Sequence, residues 1–115
     1  MLPPGHPHSA LYQQAIGLAK EMYRITDGFP DSERAVLVFT LRRATVFLCQ
    51  HLAAAAVARP KKQKRHLEAG MEQCVSIDAQ LEVAVAVGLV GAGNVAAATH
   101  LLHEIYQHVA AQLLT

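Results

Sequence analysis

The sequence predicts an all-α protein, folded as one up-down-up-down four-helix bundle. Three observations lead there. Apolar residues recur at the 3–4 spacing of a buried helical face in four separate stretches. Gly or Pro marks each junction between them, at Gly28 to Pro30, at Pro60 and at Gly88 to Gly93. Alternation with period two appears only in LEVAVAVGLV, directly after an uninterrupted helical pattern, so helix is preferred to strand there. Amphipathic helices on short loops pack as antiparallel neighbours. At 115 residues the chain makes one domain, and a chain of this length buries roughly two thirds of its unfolded surface.

Residues 1–8, MLPPGHPH, predict a Pro-rich flexible tail. They show no basic stretch followed by an apolar core, so no signal peptide is expected. The bundle is expected over 9–115. Helix one is predicted over about 9–26, capped by Ser9 and ended by Asp27-Gly28. Its stripe is Leu11, Ala15, Leu18, Met22 and Ile25. Pro30 biases Phe29 away from helical backbone, so a new helix begins after it, capped by Asp31 or Ser32, with Glu33 in its first turn. This second helix is expected over 31–58. Leu37, Leu41, Ala44, Leu48, Leu52 and Ala55 form one apolar face. Pro60 ends it and suits the first turn of helix three, 60–87, with Leu67, Met71, Cys74, Ile77, Leu81 and Ala84 inward. Gly88 is a natural left-handed cap. Helix four, 92–113, follows on Val95, Ala98, Leu102, Ile105, Val109 and Leu113, with Asn94 as its candidate cap.

Helix two carries a second apolar set off its main stripe: Val36, Val38, Phe39, Val46, Phe47, Cys49 and Val57. Apolar residues most of the way round mean burial on two sides. In a chain this short the second covering surface is expected to be another copy. The predicted interface contains Phe39, Val46 and Phe47. The composition is 52% hydrophobic but only 5% aromatic, so the core is built from Ala, Val and Leu, which let helices approach closely. No uninterrupted apolar run reaches the ~18–20 residues of a membrane span; Arg42, Arg43 and His51 interrupt the best candidate. No membrane association is expected. Cys49 and Cys74 fall within helical patterns and read as buried free thiols, which suits a cytoplasmic protein.

Charge is segregated. Eight of the ten Lys and Arg lie between Arg34 and Arg65, and no acid stands between Arg34 and Leu67. After His66 there is no Lys or Arg, while Glu68, Glu72, Asp78, Glu82 and Glu104 follow. Such polarity suits an anionic partner, or neighbouring subunits of opposite sign. The candidate nucleic-acid contacts are Arg59, Lys61, Lys62, Lys64 and Arg65. Positive charge at a helix N-terminus opposes the macrodipole, at a few tenths of a kcal/mol per charge. No aromatic residue is interleaved, so contacts to an RNA or DNA backbone are expected rather than base stacking. The competing reading is a solvated loop and helix start.

No catalytic residues, metal site or cofactor are predicted. His100, His103 and Glu104 share a helix face, but the two His of HEIYQH are five apart, about 140° around the helix, and cannot meet one ion. GLVGAG lacks the Lys of a phosphate loop. Ser9, Ser32 and Ser76 have no His–Asp companions.

FPDSERAVLVFTLRRA resembles the FP-x-x-ER-x-x-L-x-x-x-x-RRA segment of the bacterial four-helix bundle family encoded in intervening sequences of 23S ribosomal RNA genes. LYQQAIGLAKEMYRIT resembles that family's first helix, and DAQLEVAVAVGLV the end of its third. The resemblance covers nearly the whole chain. It implies an up-down bundle assembled as a ring-like homopentamer. It also implies kinship with accessory proteins of diversity-generating retroelements, which bind nucleic acid and reverse transcriptase. The expected function is thus a non-enzymatic, nucleic-acid-associated oligomer. The alternative is a structural or adaptor oligomer that binds a protein partner through its acidic third helix. The chain departs from the family pattern at His51, where Asn is usual, at Ala54, where Glu is usual, and at Gly70 to Gln73, GMEQ in place of an ARGS-like segment. Asp78 to Leu81, DAQL, stands for an ETQL-like segment.

Overall fold

The computed structural model describes residues 5–115. The predicted tail therefore lies outside the described residues at 1–4. From His6 to His8 the chain makes a 3₁₀ turn. Gln13 Nε2 donates to the Pro7 carbonyl at 2.9 Å, and the His6 ring meets the Tyr12 ring edge-on at 5.2 Å.

Four long helices follow, and no strand occurs among the described residues: α1 Ala10–Asp27, α2 Phe39–Val57, α3 Pro60–Ala86 and α4 Ala92–Leu113. Ser9 caps α1 as expected, its Oγ accepting the Tyr12 N–H at 3.2 Å. That satisfies one of the donors a helix start leaves unpaired. Gly28 and Phe29 close its far end, their N–H groups donating to Ile25 and Thr26 at 3.2 and 3.1 Å.

The entrance to α2 differs from expectation. Neither Asp31 nor Ser32 caps it. Asp31–Glu33 forms a 3₁₀ turn, and Arg34–Val38 forms a π-helical turn that runs into α2. The Asp31 carboxylate accepts from Arg34 Nε at 3.2 Å instead. A π turn is wider than an α turn, so the face presented to the core shifts by about one residue. Val38 is buried, and Leu37, the predicted core residue, is only half-buried. From Leu41 onward the predicted face holds: Leu41, Ala44, Leu48, Leu52 and Ala55 are all buried.

Pro60 occupies the first turn of α3, where its missing N–H has no helical partner to lose. Gln63 Nε2 donates to the Ala55 carbonyl at 2.9 Å and ties α3 back to the end of α2. Gly88 carries the expected positive φ, 81°, and the Leu89 N–H returns to the Ala84 carbonyl at 3.0 Å, closing α3 in the manner of a left-handed cap. Asn94 does not cap α4. Gly91 stands at that position without a side-chain bond, and the Asn94 N–H donates to its carbonyl at 3.0 Å.

α1 packs on α2, α2 on α3, α3 on α4, and α4 on α1, so the four inward stripes enclose one core. Every residue predicted to line it from α1 is buried, as are Leu67, Cys74, Ile77, Leu81 and Ala84 of α3 and Val95, Ala98, Leu102, Ile105 and Val109 of α4. Met71 and Leu113 are only partly buried. Gly70 takes the inward place beside Met71, because Leu48 and Leu52 of α2 leave no room for a large side chain there. The buried hydroxyls of Thr26 and Thr45 return to carbonyls of their own helices at 2.7 and 2.8 Å, so neither is left unpaired.

The segment Asp31–Val57 reaches a mean hydropathy of 1.2 over an 18-residue window, long and apolar enough by those measures to cross a membrane. The aliphatic residues outweigh the polar interruptions at Arg42, Arg43 and His51. Only 39% of that window is buried inside the chain, so much of an apolar helix faces outward.

Candidate interaction surfaces

The outward face of α2 borders a shallow groove of about 400 Å³ beside α1, lined by Tyr23, Val38, Phe39, Val46 and Phe47 with Arg34, Arg42 and Arg43. The three predicted interface residues therefore lie together. Phe39 is 54% and Val46 39% exposed, and Phe47 is half-buried. Large apolar side chains exposed side by side form the kind of patch that interaction surfaces use.

The arginines differ in their attachments. Arg42 is fixed: its Nε donates to Thr26 Oγ1 at 2.8 Å, its Nη2 to Asp27 Oδ1 at 2.9 Å, and its guanidinium lies 4.3 Å from the centre of the Tyr23 ring. It locks the end of α1 to α2. Arg34 pairs with Asp31 at 3.2 Å, both side chains well exposed, a contact worth little. Arg43 forms no ion pair with a described residue. Its guanidinium lies over the Phe47 ring at 5.0 Å and the Phe39 ring at 6.0 Å, held by the attraction of a cation for an aromatic face. Sequence reading named the phenylalanines and missed the cations between them. The signal was present, since Phe39, Arg43 and Phe47 stand four apart on one helix face.

Arg59, Lys61, Lys62, Lys64 and Arg65 are all exposed, on the N-cap and first turns of α3. No described carboxylate forms an ion pair with any of them. The cluster projects its charge into solvent beyond the α2–α3 junction, apart from the groove residues.

Two acids of the second half, Asp78 and Glu82, lie along the seam of α3 and α4. Two shallow depressions between α3 and α4, of about 230 and 460 Å³, share Asp78 and His103. Val75 and Tyr106 border the first, and Glu82 and Val85 the second. Val75 is 60% exposed. His100 Nε2 meets Glu104 Oε1 at 2.8 Å, while His103 Nε2 turns to Asp78 Oδ1 at 4.0 Å. His100 and His103 thus address different acids, His108 meets Gln14 Oε1 at 3.0 Å, and no three His, Cys, Asp or Glu side chains converge as a metal would need among the described residues.

One pair was not anticipated. His51 of α2 and His66 of α3 meet Nδ1 to Nδ1 at 3.2 Å, one nitrogen carrying the proton that the other accepts. No sequence spacing reveals it, because the residues belong to different helices. Burial holds the His51 pKa below its ordinary value, the His66 charge adds to that, and Glu72 opposes it. The cysteines are free and buried. Burial pushes the Cys74 thiol up to about 12 and raises Cys49 as well, so neither supplies a thiolate nucleophile at neutral pH.

The chain matches no protein-family model and no curated protein.

Proposed function

We propose that this chain is a non-enzymatic, cytoplasmic up-down-up-down four-helix bundle. It assembles as a homo-oligomer, five copies being the number the family resemblance implies, and contacts the backbone of RNA or DNA through Arg59, Lys61, Lys62, Lys64 and Arg65. The cyclic order of helix neighbours and the short connections support the bundle topology. The uncovered apolar groove around Phe39 supports assembly.

The observation that carries the nucleic-acid reading is the state of the basic cluster. Five exposed cations stand together at a helix start with no described carboxylate paired to them. Positive charge at a helix start opposes the macrodipole at a few tenths of a kcal/mol per charge, a small cost that phosphate contact would offset. One copy offers few phosphate contacts, and few contacts bind weakly at physiological salt. Repetition around a symmetry axis raises the effective affinity without a new type of contact.

Binding of labelled single- and double-stranded RNA and DNA across a salt series tests this. Affinity is expected to fall steeply with salt and to be indifferent to base sequence. Changing Lys61, Lys62 and Lys64 together to Glu abolishes binding and leaves the assembly whole. Absence of wild-type binding at low salt refutes the reading and favours an adaptor that meets a protein partner through the acidic face of α3.

A further inference from the structure

We propose that the groove between α1 and α2 receives the acidic strip between α3 and α4 of a second copy. Subunits then meet through two different surfaces rather than through one surface paired with itself. This rests on the assembly proposed above and specifies its interface.

The placement comes from the fold. The helices are neighbours in the cycle α1, α2, α3, α4, so the surface over α1 and α2 lies across the core from the surface over α3 and α4. A patch on each side lets every copy use both at once, which is the condition for a closed ring or an extended array.

The chemistry of the two patches matches. The groove offers apolar Phe39, Val46 and Phe47 with a cation, Arg43, that no described carboxylate neutralises. The opposite strip offers Val75 and Tyr106 with Asp78 and Glu82. From Leu67 to the last residue the sequence has no Lys or Arg to offset them. Both patches are shallow and mixed, an apolar floor beside fixed charges of opposite sign, with His103 the titratable neighbour of Asp78 on the strip. Complementary potentials of this kind select a partner and its register.

The other ways of covering the groove fit less well. A second groove would bring one Arg43 face against another, setting like charges together where the apolar contact excludes water. A single-stranded nucleic acid would stack its bases on the two rings, and the Arg43 guanidinium already takes one face of each. The acidic strip needs no such clearing, because a carboxylate can meet Arg43 where it lies.

Two double variants test the pairing. One carries Phe39→Glu and Arg43→Glu in the groove. The other carries Val75→Arg and Glu82→Arg on the strip. All four positions are exposed, and circular dichroism checks that the helices persist. Gel filtration with light scattering is expected to show wild type as an oligomer and each variant alone as a single chain. An equimolar mixture is expected at twice the single-chain mass. The groove variant keeps an intact strip and the strip variant an intact groove, so one contact forms and growth stops there. Should a double variant unfold, the single reversals Arg43→Glu and Glu82→Lys carry the same test, as lowered mass for each alone and recovery in the mixture.

A strip variant that assembles like wild type overturns the pairing, and so do two monomeric variants that fail to combine. Loss of single-stranded oligonucleotide binding in the groove variant, with its mass unchanged, overturns it in favour of a nucleic-acid platform. A wild-type protein that is itself one chain fails at the earlier step, the assembly reading.

Discussion

Gly70 sits where α3 packs on Leu48 and Leu52 of α2, and its replacement is a sensitive probe of that packing. A Cβ added there lies 3.3 Å from Leu52 Cδ2 and 3.6 Å from Leu48 Cδ1. Two effects oppose each other in Gly70→Ala. Alanine in a helix interior is favoured over glycine by about 0.8–1 kcal/mol. Against this, the nearest methyl must retreat by a few tenths of an ångström inside a core where Leu48 and Leu52 are essentially unexposed. Forcing extra methylenes into a packed core costs about 1–3 kcal/mol. The blocking atom is the end of a flexible side chain, so the low end of that range applies. Gly70→Ala should therefore fall within about 1 kcal/mol of wild type, a Tm change of about 4 °C or less. Gly70→Val adds two γ-methyl groups beyond a Cβ already in contact, and its branched side chain has little rotamer freedom in a helix. It should lose at least about 2 kcal/mol. The assay is thermal and urea unfolding by circular dichroism at fixed protein concentration, because oligomers melt in a concentration-dependent way. A Gly70→Val protein as stable as wild type would mean that α2 and α3 do not approach as described, and the positions of the groove and basic cluster would fall with them.

Three further outcomes are expected. Arg42→Ala should destabilise the fold by about 1–2 kcal/mol by freeing Thr26 and the end of α1, most of it from the half-buried hydroxyl contact rather than from the exposed Asp27 carboxylate; Arg42→Lys should not restore it, since one ammonium cannot reproduce the planar donor pair and the ring contact, and urea midpoints compare the three. Alkylation under denaturing, non-reducing conditions should add two groups per chain by intact mass, at Cys49 and Cys74, and zero additions would contradict the free, buried thiols. His51 resists protonation in the folded chain, so below the ordinary value of about 6.5 the unfolded chain takes up the proton first and stability declines as pH falls toward the lowered folded value; Tm measured from pH 7.5 to 5.5 should fall less in His51→Gln than in wild type, and an equal fall would show that burial at this site does not hold the His51 pKa down.

The fold was legible where one helical period governs burial. The α1 stripe, the inward faces of α3 and α4, the Ser9 cap and the Gly88 turn all follow from local chemistry that the sequence states directly. The α2 entrance was not legible. Leu37 and Val38 are both apolar, and only the π turn decides that Val38 goes inward. Asp31 and Ser32 have the side chains of cap residues, but the 3₁₀ turn they enter uses the Pro30 carbonyl to bond the Glu33 N–H at 2.9 Å. Asn94 failed as a cap for a similar reason, since α4 starts earlier, on Gly91. Of the surface residues, Phe39, Val46 and Phe47 were found from the excess of apolar positions on α2. The Arg42 contacts, the His51–His66 pair and the continuity of Asp78 with Glu82, Val75 and Tyr106 depend on which helices lie side by side, and a single sequence does not state that.

Assembly is the central claim, and the mass of the wild-type protein in solution tests it most directly. Gel filtration coupled to light scattering at micromolar concentration is expected to give a discrete oligomer, with five copies the mass that the family resemblance implies. Phe47→Glu, in the groove, is expected to reduce it to a single chain, while Lys62→Glu, in the basic cluster, leaves it intact. A wild-type mass of one chain, unchanged from low to high micromolar concentration, would contradict the claim.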